Sequence, residues 1–279
     1  MSTPDGPGAR RRAPHAEIRH ALSLPAGAQS EAIHAERHVT LAVPTEWPEH
    51  QHPHHELIWV RGGTMTTRVG DRLFTVAEGV GLWLPAGVRH AGRLTAGVEL
   101  HDAFFSPEHT PAGLDRAEVI AMNPVLESLL NHLGRDDLDS AMRARAEAVV
   151  FDVLQPGERR LELPLPGDER IAPVIEALLA DPADGRGLAE WSRELGCSER
   201  TITRVFRTAT GLSFVQWRRV MRVQSAVSLL LAGWPVHEAS EQVGYAQAST
   251  FIEAFREVMG ETPGAFLAVR KTVSADQTA

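Results

Sequence analysis

Four histidines lie within six residues in the stretch PEHQHPHHELIWVRGG, residues 48–63. On a β-strand, side chains two positions apart share a face, so we expect His50, His52, His54 and Glu56 to point one way and His55 the other. Imidazole and carboxylate groups that converge in this way can hold a transition metal or titrate near neutral pH. The residue types alone leave open a metal site, a pH-sensitive cluster and a solvated loop.

A second set of chemically active side chains lies near the C-terminus. Residues 199–222 contain six arginines and a single acid, Glu199, although the whole chain of 279 residues has a formal net charge of -8. A local basic face on an acidic protein predicts a polyanion partner for this segment only. The alternative is a solvated helix face that carries arginine.

The elements around the histidines are predicted to be strands. From about residue 39 to residue 105, short apolar runs alternate with Gly, Pro and Asp, in the order LAV, ELIWV, TMTTRV, RLFTV, VGLWL and VELHDAFF. Such spacing is typical of an all-β sandwich or barrel. Residues 69–72, Val-Gly-Asp-Arg, are expected to form a hairpin turn between two of these strands.

The pattern changes to a helical period after Pro111, in residues 125–133 and 141–154. Residues 156–168 combine three prolines with two glycines and break both periods, so they are predicted to link two domains. Everything beyond them reads as helix. The expected fold is a two-domain α+β chain with these parts: a tail (1–15), a β-barrel domain (16–110), relay or dimerisation helices (111–155), the linker (156–168), an all-α domain (169–270) and a second tail (271–279).

The all-α domain begins with a helix, a turn and a second helix. The sequence GLAEWSRELG is followed by CSERTITRVF, in which Gly196 suits a left-handed turn and Ser198 suits a helix N-cap. Ile202, Val205 and Phe206 then share the inner face of the second helix. Its outer face is expected to carry short polar and arginine side chains, which suit the major groove of DNA: Thr201, Thr203, Arg204 and Arg207.

The same arrangement recurs 48 residues further on, from Gly196 to Gly244, with Phe251 and Phe255 in the inner positions. One long apolar-periodic helix, about residues 213–231, joins the two units. Two units with matched spacing are a far more specific signal than one. Residues 170–266 resemble the AraC-type DNA-binding domain, including the stretch GYAQASTFIEAFREVMGETPGAF at residues 244–266.

This resemblance implies that the second helix of each unit enters one of two successive major grooves. Carried over by position, the first helix would present Arg200, Thr203, Arg204 and Arg207, and the second Gln247, Ala248, Ser249 and Glu253. Glu253 departs from the pattern, because family members often have a basic or neutral residue there. A carboxylate repels phosphate, so the second unit is expected to bind more weakly or only to orient the protein.

The histidine stretch resembles the two cupin motifs. The spacing H-x-H-x3-E-x6-G fits His50, His52, Glu56 and Gly63, and G-x5-P-x-G-x2-H fits Gly79, Pro85, Gly87 and His90. Two positions depart from the family pattern: Pro44 stands where a glycine is usual, and Leu94 replaces an asparagine.

In metal-binding cupins the matching His50, His52, Glu56 and His90 would be the ligands, a set that suits Zn, Ni, Fe(II), Mn or Cu. The alternative implied by the same resemblance is a cupin that binds an organic effector without metal, its polar residues lining the pocket. His54 has no counterpart in the motif and is predicted to be a spare ligand or an effector-pocket donor.

These parts together predict a homodimeric, ligand-responsive transcription regulator that binds operator DNA. The competing class is a metal-dependent cupin enzyme, of dioxygenase or isomerase type, with an appended helical domain. A third possibility is a DNA-binding module whose cupin is only a dimer scaffold. The single cysteine, Cys197, and the lack of any long apolar run predict a cytoplasmic protein with no membrane partner.

Overall fold

The computed structural model describes residues 16–17, 32–37, 40, 42–135, 137–157 and 161–268. The predicted tails, 1–15 and 271–279, lie outside this part. The strands are β1 (Ala16–Glu17), β2 (Ile33–Arg37), β3 (Thr45–His50), β4 (His55–Arg61), β5 (Thr64–Val69), β6 (Arg72–Ala77), β7 (Val80–Leu84), β8 (His90–Leu94), β9 (Glu99–Phe105), β10 (Glu118–Ala121) and β11 (Glu162–Pro164). The strands form two sheets, a six-stranded one in the order β1-β3-β8-β5-β6-β11 and a five-stranded one in the order β10-β7-β4-β9-β2.

The two sheets enclose an apolar interior. Ile58 and Val60 of the five-stranded sheet belong to one buried cluster with Met65, Phe74 and Val76 of the six-stranded sheet. Because side chains alternate along β4, Glu56 shares the inner face with Ile58 and Val60. This arrangement confirms the predicted β-sandwich or barrel.

The outer face of the five-stranded sheet is covered by two helices, α1 (Pro124–Leu133) and α2 (Ser140–Val153). Leu57 and Phe105 pack there with Leu126, Leu130 and Val150. Asn123 and Asp139 cap the two helices, since their side chains accept hydrogen bonds from the backbone amides of Leu126 and Met142. The change of period after Pro111 therefore predicted both helices.

The strand predictions from the sequence need correction in two respects. Residues 42–43 of the LAV run are bends, and the strand begins later, at Thr45. Strands β1, β2, β8 and β10 were not predicted, because they are short and lie outside the apolar runs of the sequence. The hairpin at residues 69–72 is confirmed: β5 ends at Val69, β6 begins at Arg72, and Gly70 has a φ of 55°.

The segment predicted to link the domains contains a strand that the sequence did not indicate. Strand β11 pairs antiparallel with β6, so it extends the six-stranded sheet. Leu163 and Leu165 are buried in the same cluster as Trp217 and Phe206. The backbone of this segment thus belongs to the six-stranded sheet, whereas the side chains of Leu163 and Leu165 belong to the core of the helical domain.

The C-terminal domain contains α3 (Ala172–Ala180), α4 (Leu188–Leu195), α5 (Glu199–Thr210), α6 (Phe214–Leu231), α7 (Val236–Gln242) and α8 (Ala248–Met259). Helices α4 and α5 form the first predicted unit, α7 and α8 the second, and α6 joins them. Gly196 and Gly244 turn between the helices with φ of 63° and 86°. Ile202, Phe206, Phe251 and Phe255 are fully buried, as their matched spacing predicted. No helix in the described ranges is long and apolar enough to cross a membrane.

Candidate metal centre and nucleic-acid interface

Three histidines meet at one end of the sandwich. His50 ends β3 and His90 begins β8, and the two residues are cross-strand partners. His52 follows in the turn after β3, so that its ring centroid lies 4.7 Å from that of His50 and 5.2 Å from that of His90. One nitrogen from each ring lies within 4.8 Å of the others, a spacing that could hold a metal ion.

Glu56 completes the cluster from the opposite sheet. Its Oε2 lies 3.3 Å from Nε2 of His52 and 3.6 Å from Nε2 of His90. Oε2 of Glu56 and Nε2 of His52 are both buried, and neither makes a well-formed hydrogen bond within the described chain. Buried polar atoms in this state are costly unless something else satisfies them, and a bound cation would do so.

Two backbone carbonyls fix the tautomers of His50 and His90. Nδ1 of His50 lies 2.9 Å from the carbonyl oxygen of Pro48, and Nδ1 of His90 lies 3.0 Å from that of Val88. A carbonyl can only accept, so each Nδ1 carries the proton and each Nε2 keeps its lone pair. Metal-binding histidines are usually oriented in this way by a second hydrogen bond.

The electrostatics of the two buried rings differ. Burial lowers the pKa of His90, and the opposing charge of Glu56 does not restore it. Burial also acts to lower the pKa of His52, but the close contact with the Glu56 carboxylate, together with the charge of Asp102, outweighs burial and raises it. His90 is therefore held neutral, the form that binds metals, whereas His52 shares its polar environment with two carboxylates.

The convergence does not arise from one strand, as the parity argument assumed. Residues 51–54 form a turn between β3 and β4, so His50 and Glu56 lie in different sheets that face each other. His54 is half-exposed in this turn and lies outside the group of three histidines. His55 points to the other side, as expected, where it stacks on Trp83 with a centroid distance of 5.1 Å.

The turn at residues 85–87 holds the turn at residues 51–54 in place by backbone hydrogen bonds. The backbone amide of Gly87 donates to the carbonyl of His52 at 2.8 Å, and the amide of Ala86 donates to Nδ1 of His55 at 2.9 Å. Gly87 has a φ of 75°, which explains why the Pro-x-Gly turn needs glycine. The turn before His90 thus fixes the loop that carries His52.

Two buried polar residues on the inner face were missed from the sequence. Asp102 of β9 is opposite Ile58 and is only 1% exposed. Thr67 of β5 is fully buried opposite Gly92. The signal was available for Asp102, because an acid inside the run VELHDAFF is unusual, and the strand register that points it inward makes it part of the site.

In the first helix-turn-helix unit, the predicted arginines reach solvent. Arg200, Arg204 and Arg207 of α5 are exposed, and Thr201 and Thr203 are half-buried. Ser198 caps the helix, since its Oγ accepts a hydrogen bond from the backbone amide of Thr201 at 3.2 Å. An N-capped helix with exposed arginines on one face can contact both phosphates and base edges.

In the second unit, Gln247, Ser249 and Glu253 are exposed and Ala248 is half-buried. Glu253 lines a groove between α6 and α8 together with arginines of α6. Its negative charge is therefore opposed by nearby positive charge, which the sequence did not indicate.

Three of the six arginines counted as a basic face have contacts inside the protein. Arg222 donates to the carbonyls of Pro182 at 2.8 Å, Asp184 at 3.0 Å and Gly244 at 3.2 Å. Arg218 donates to the carbonyl of Arg186 at 2.8 Å, and Arg219 pairs with Glu257. Of these six arginines, only the three of α5 are exposed.

Comparison with known proteins is consistent with both halves of the chain. A cupin domain model matches residues 37–101, and a helix-turn-helix domain model matches residues 191–268. The HTH-type transcriptional regulator NimR of Escherichia coli (strain K12) is 30% identical over 230 residues, which cover 81% of this chain and 84% of that protein. The HTH-type transcriptional regulator RipA of Corynebacterium glutamicum is 30% identical over 223 residues, which cover 75% of this chain and 61% of that protein.

Among solved structures, the chain is similar to the DNA-binding domain of AdpA, a global transcriptional factor, in complex with a target DNA. The match has 25% identity and a TM-score of 0.36, and it covers 38% of this chain and 96% of that one.

Proposed function

Because the chain belongs to the AraC family of transcription regulators, we propose that its cupin domain binds a divalent transition metal and that this metal controls binding to operator DNA. The observation that carries the proposal is the close approach of four side chains at one end of the sandwich: three that are buried, His52, His90 and Glu56, and the half-buried His50. All four side chains that the cupin pattern requires are present, and they converge from two sheets.

The donor set fits such an ion. Three imidazoles and one carboxylate suit Zn, Ni, Fe(II), Mn or Cu, and they disfavour Ca or Mg, which prefer oxygen ligands. The tautomers that Pro48 and Val88 impose leave the Nε2 lone pairs of His50 and His90 available. A bound ion would also interact with Oε2 of Glu56 and Nε2 of His52, which are buried without a well-formed hydrogen bond within the described chain.

The exposure of the predicted side chains supports the proposed DNA contacts. Arg200, Arg204 and Arg207 of α5 would contact phosphates and guanine edges, with Thr201 and Thr203 beside them. Gln247, Ala248 and Ser249 begin α8 and would read the second groove. Glu253 would stand close to DNA only while the α6 arginines oppose its charge.

The signal has a physical route from one domain to the other. A metal can change DNA affinity only if it favours one arrangement of the domains over another. Strand β8, which begins with His90, and strand β11 belong to the same six-stranded sheet. Strand β11 also packs into the core around Trp217, whose Nε1 donates to the carbonyl of Pro164 at 2.7 Å. A shift of the sheet that accompanies metal binding would therefore reach α6 directly.

The helices α1 and α2 would form the homodimer surface. Val125 of α1 is 56% exposed, and Met142 and Val149 of α2 are 42% and 41% exposed. Three large apolar side chains on two adjacent helices are typical of a surface that is covered in an assembly.

The first test is the metal content of the untagged protein, measured by inductively coupled plasma mass spectrometry. We expect about one metal per chain in the wild type and almost none in the His50→Ala/His52→Ala variant. The matched control is the His132→Ala/His237→Ala variant, which removes two histidines outside the cluster and should keep its metal. The same three proteins are then titrated with DNA from upstream of the gene, with and without metal.

If the His132→Ala/His237→Ala control lost its metal as the His50→Ala/His52→Ala variant does, histidines outside the cluster would have to bind the metal. No metal after reconstitution with Zn, Ni and Fe(II) would remove the metal from the proposal and leave the cluster as the lining of an organic-effector pocket. Equal DNA affinity with and without bound metal would separate the metal from regulation.

A further inference from the structure

A cavity lies between the six-stranded sheet and the helical domain, on the face of that sheet opposite to the histidine cluster. Its volume is about 340 Å³. Small-molecule sites typically occupy about 300–1,000 Å³ and often lie at domain interfaces. The cavity is therefore large enough for a small organic ligand.

The wall from the sensor domain is polar. Thr64 and Thr75 line the cavity and are only 1% and 5% exposed, and Thr66 lies between them. Thr66 and Thr75 are cross-strand partners, so their hydroxyls lie side by side on the outer face of the sheet. These hydroxyls can donate or accept hydrogen bonds as a ligand requires.

The wall from the DNA-binding domain comes mainly from α6. Gln224, in the middle of this helix, lines the cavity with a side-chain amide that is 4% exposed. Met221 and Leu229 supply apolar surface beside it. Thr64 Oγ1 donates to Ser228 Oγ at 2.7 Å, a hydrogen bond that joins the two walls.

We propose that this interdomain cavity binds a small uncharged organic molecule with an apolar body and a single hydrogen-bond acceptor such as a carbonyl. Apolar side chains of α3 and α6, with Val243 just after α7, surround the body, and the hydroxyls of Thr66 and Thr75 donate to the acceptor. A charged ligand is disfavoured because the two charged residues of the lining, Glu46 and Arg93, are cross-strand partners whose opposite charges compensate each other.

This site is distinct from the histidine cluster, but the two share a strand. His90 begins β8 on its inner face, whereas Arg93 and Thr95 of β8 and its continuation line the outer cavity. A ligand in the cavity also contacts α6, which joins the two DNA-reading units. Occupation of the cavity would thus act on the domain arrangement without passing through the metal.

The test uses 6-propionyl-2-(dimethylamino)naphthalene, a neutral fluorophore with an apolar body and one carbonyl, whose emission shifts to the blue in an apolar site. The full-length protein is titrated with this probe. We expect saturable binding of about one probe per chain, weakened about tenfold or more by Ser225→Leu and by Thr66→Leu, which fill the cavity from opposite walls. The matched control Ser225→Ala keeps the space open and should change affinity by less than about twofold. Thr66→Val removes one proposed hydrogen-bond donor without filling the space, so it should weaken binding by less than Thr66→Leu does.

The His50→Ala/His52→Ala variant should bind the probe as the wild type does, which separates this site from the metal centre. Thermal unfolding identifies any leucine variant that fails to fold, and the variant on the other wall then decides. Unchanged affinity in a folded leucine variant, or no saturable binding to the wild type, would overturn the proposal.

Discussion

Arg222 of α6 should be a structural residue and not a DNA contact, although it lies in the arginine-rich segment. Its half-buried guanidinium donates to three backbone carbonyls, in two residues of the loop after α3 and in Gly244 of the second turn. Gly244 has no room for a side chain, because a Cβ there would lie 2.8 Å from Cα of Ala183 and 2.9 Å from Nη2 of Arg222. Replacing Arg222 with alanine removes the group that fixes both turns.

The magnitude follows from the three hydrogen bonds. A hydrogen bond from a charged donor contributes about 1.5–3 kcal/mol, and three such bonds set an upper bound of about 4.5–9 kcal/mol. Water reaches part of this site, so the carbonyls are partly rehydrated after truncation. We therefore expect Arg222→Ala to lower the free energy of unfolding by about 2–4 kcal/mol. Arg222→Lys should recover only part of it, since one ammonium cannot reach three carbonyls.

The assay is urea denaturation followed by tryptophan fluorescence, because Trp191 and Trp217 are buried in this domain. Arg204→Ala is the matched control, since it removes an exposed arginine whose guanidinium makes no hydrogen bond or ion pair with the described residues, and it should leave stability within about 0.5 kcal/mol. An Arg222→Ala protein as stable as the wild type would refute the structural role. If that protein also lost DNA affinity as strongly as Arg204→Ala, Arg222 would have to be returned to the DNA-binding face.

Three further outcomes test the two sites and the assembly. Glu56→Gln should weaken metal affinity by about 10–100-fold in a chelator competition. Glu49→Gln, which changes an exposed carboxylate paired with Arg89, should leave the affinity unchanged. Equal metal affinities of the two variants would exclude Glu56 as a ligand. Arg204→Ala should abolish specific DNA binding in fluorescence anisotropy while Glu253→Ala reduces it little, and equal losses would contradict the unequal roles of the two units. Met142→Lys should shift the sedimentation coefficient from dimer to monomer, and an unchanged coefficient would place the dimer contact elsewhere.

The sequence predicted the helical domain well because its signals are local. Ser198 and Gly196 fix one helix start and one turn, and the repeated apolar spacing fixes the buried face of each reading helix. These features depend on residues a few positions apart, so a pattern along the chain is enough to find them. The ends of α6 were predicted to within one residue for the same reason.

The residues of the histidine cluster were predicted from the sequence, but the way in which the fold brings them together was not. His50, His52, Glu56 and His90 do meet, yet the parity of a single strand is not the cause. The meeting depends on which strands face each other across the sandwich, and no local pattern contains that information. The same limit explains why Asp102 was missed, because its inward direction follows from the pairing of β9 with β4.

The arginines show a different limit. Charge along the chain cannot separate an arginine that binds backbone carbonyls from one that reaches solvent. Arg222 and Arg204 are identical in type and close in sequence, but only the folded loops after α3 determine which of them is used internally. Strand β11 was missed for a related reason, since prolines flank it and its partner β6 is distant in sequence.

The docking of β11 has a consequence for the promoter. A regulator whose DNA-binding domain is joined to its dimerisation domain by a flexible linker tolerates operator half-sites at many separations, because the linker can change its length and direction. Here the connecting segment is hydrogen-bonded into one domain and packed into the other, so a dimer would hold its two sets of reading helices at a fixed distance and rotation. Inserting about five base pairs between half-sites, about half a helical turn, would turn one half-site to the far side of the duplex, and inserting about ten would return it to the same side. Binding should therefore oscillate with spacer length at the period of the double helix.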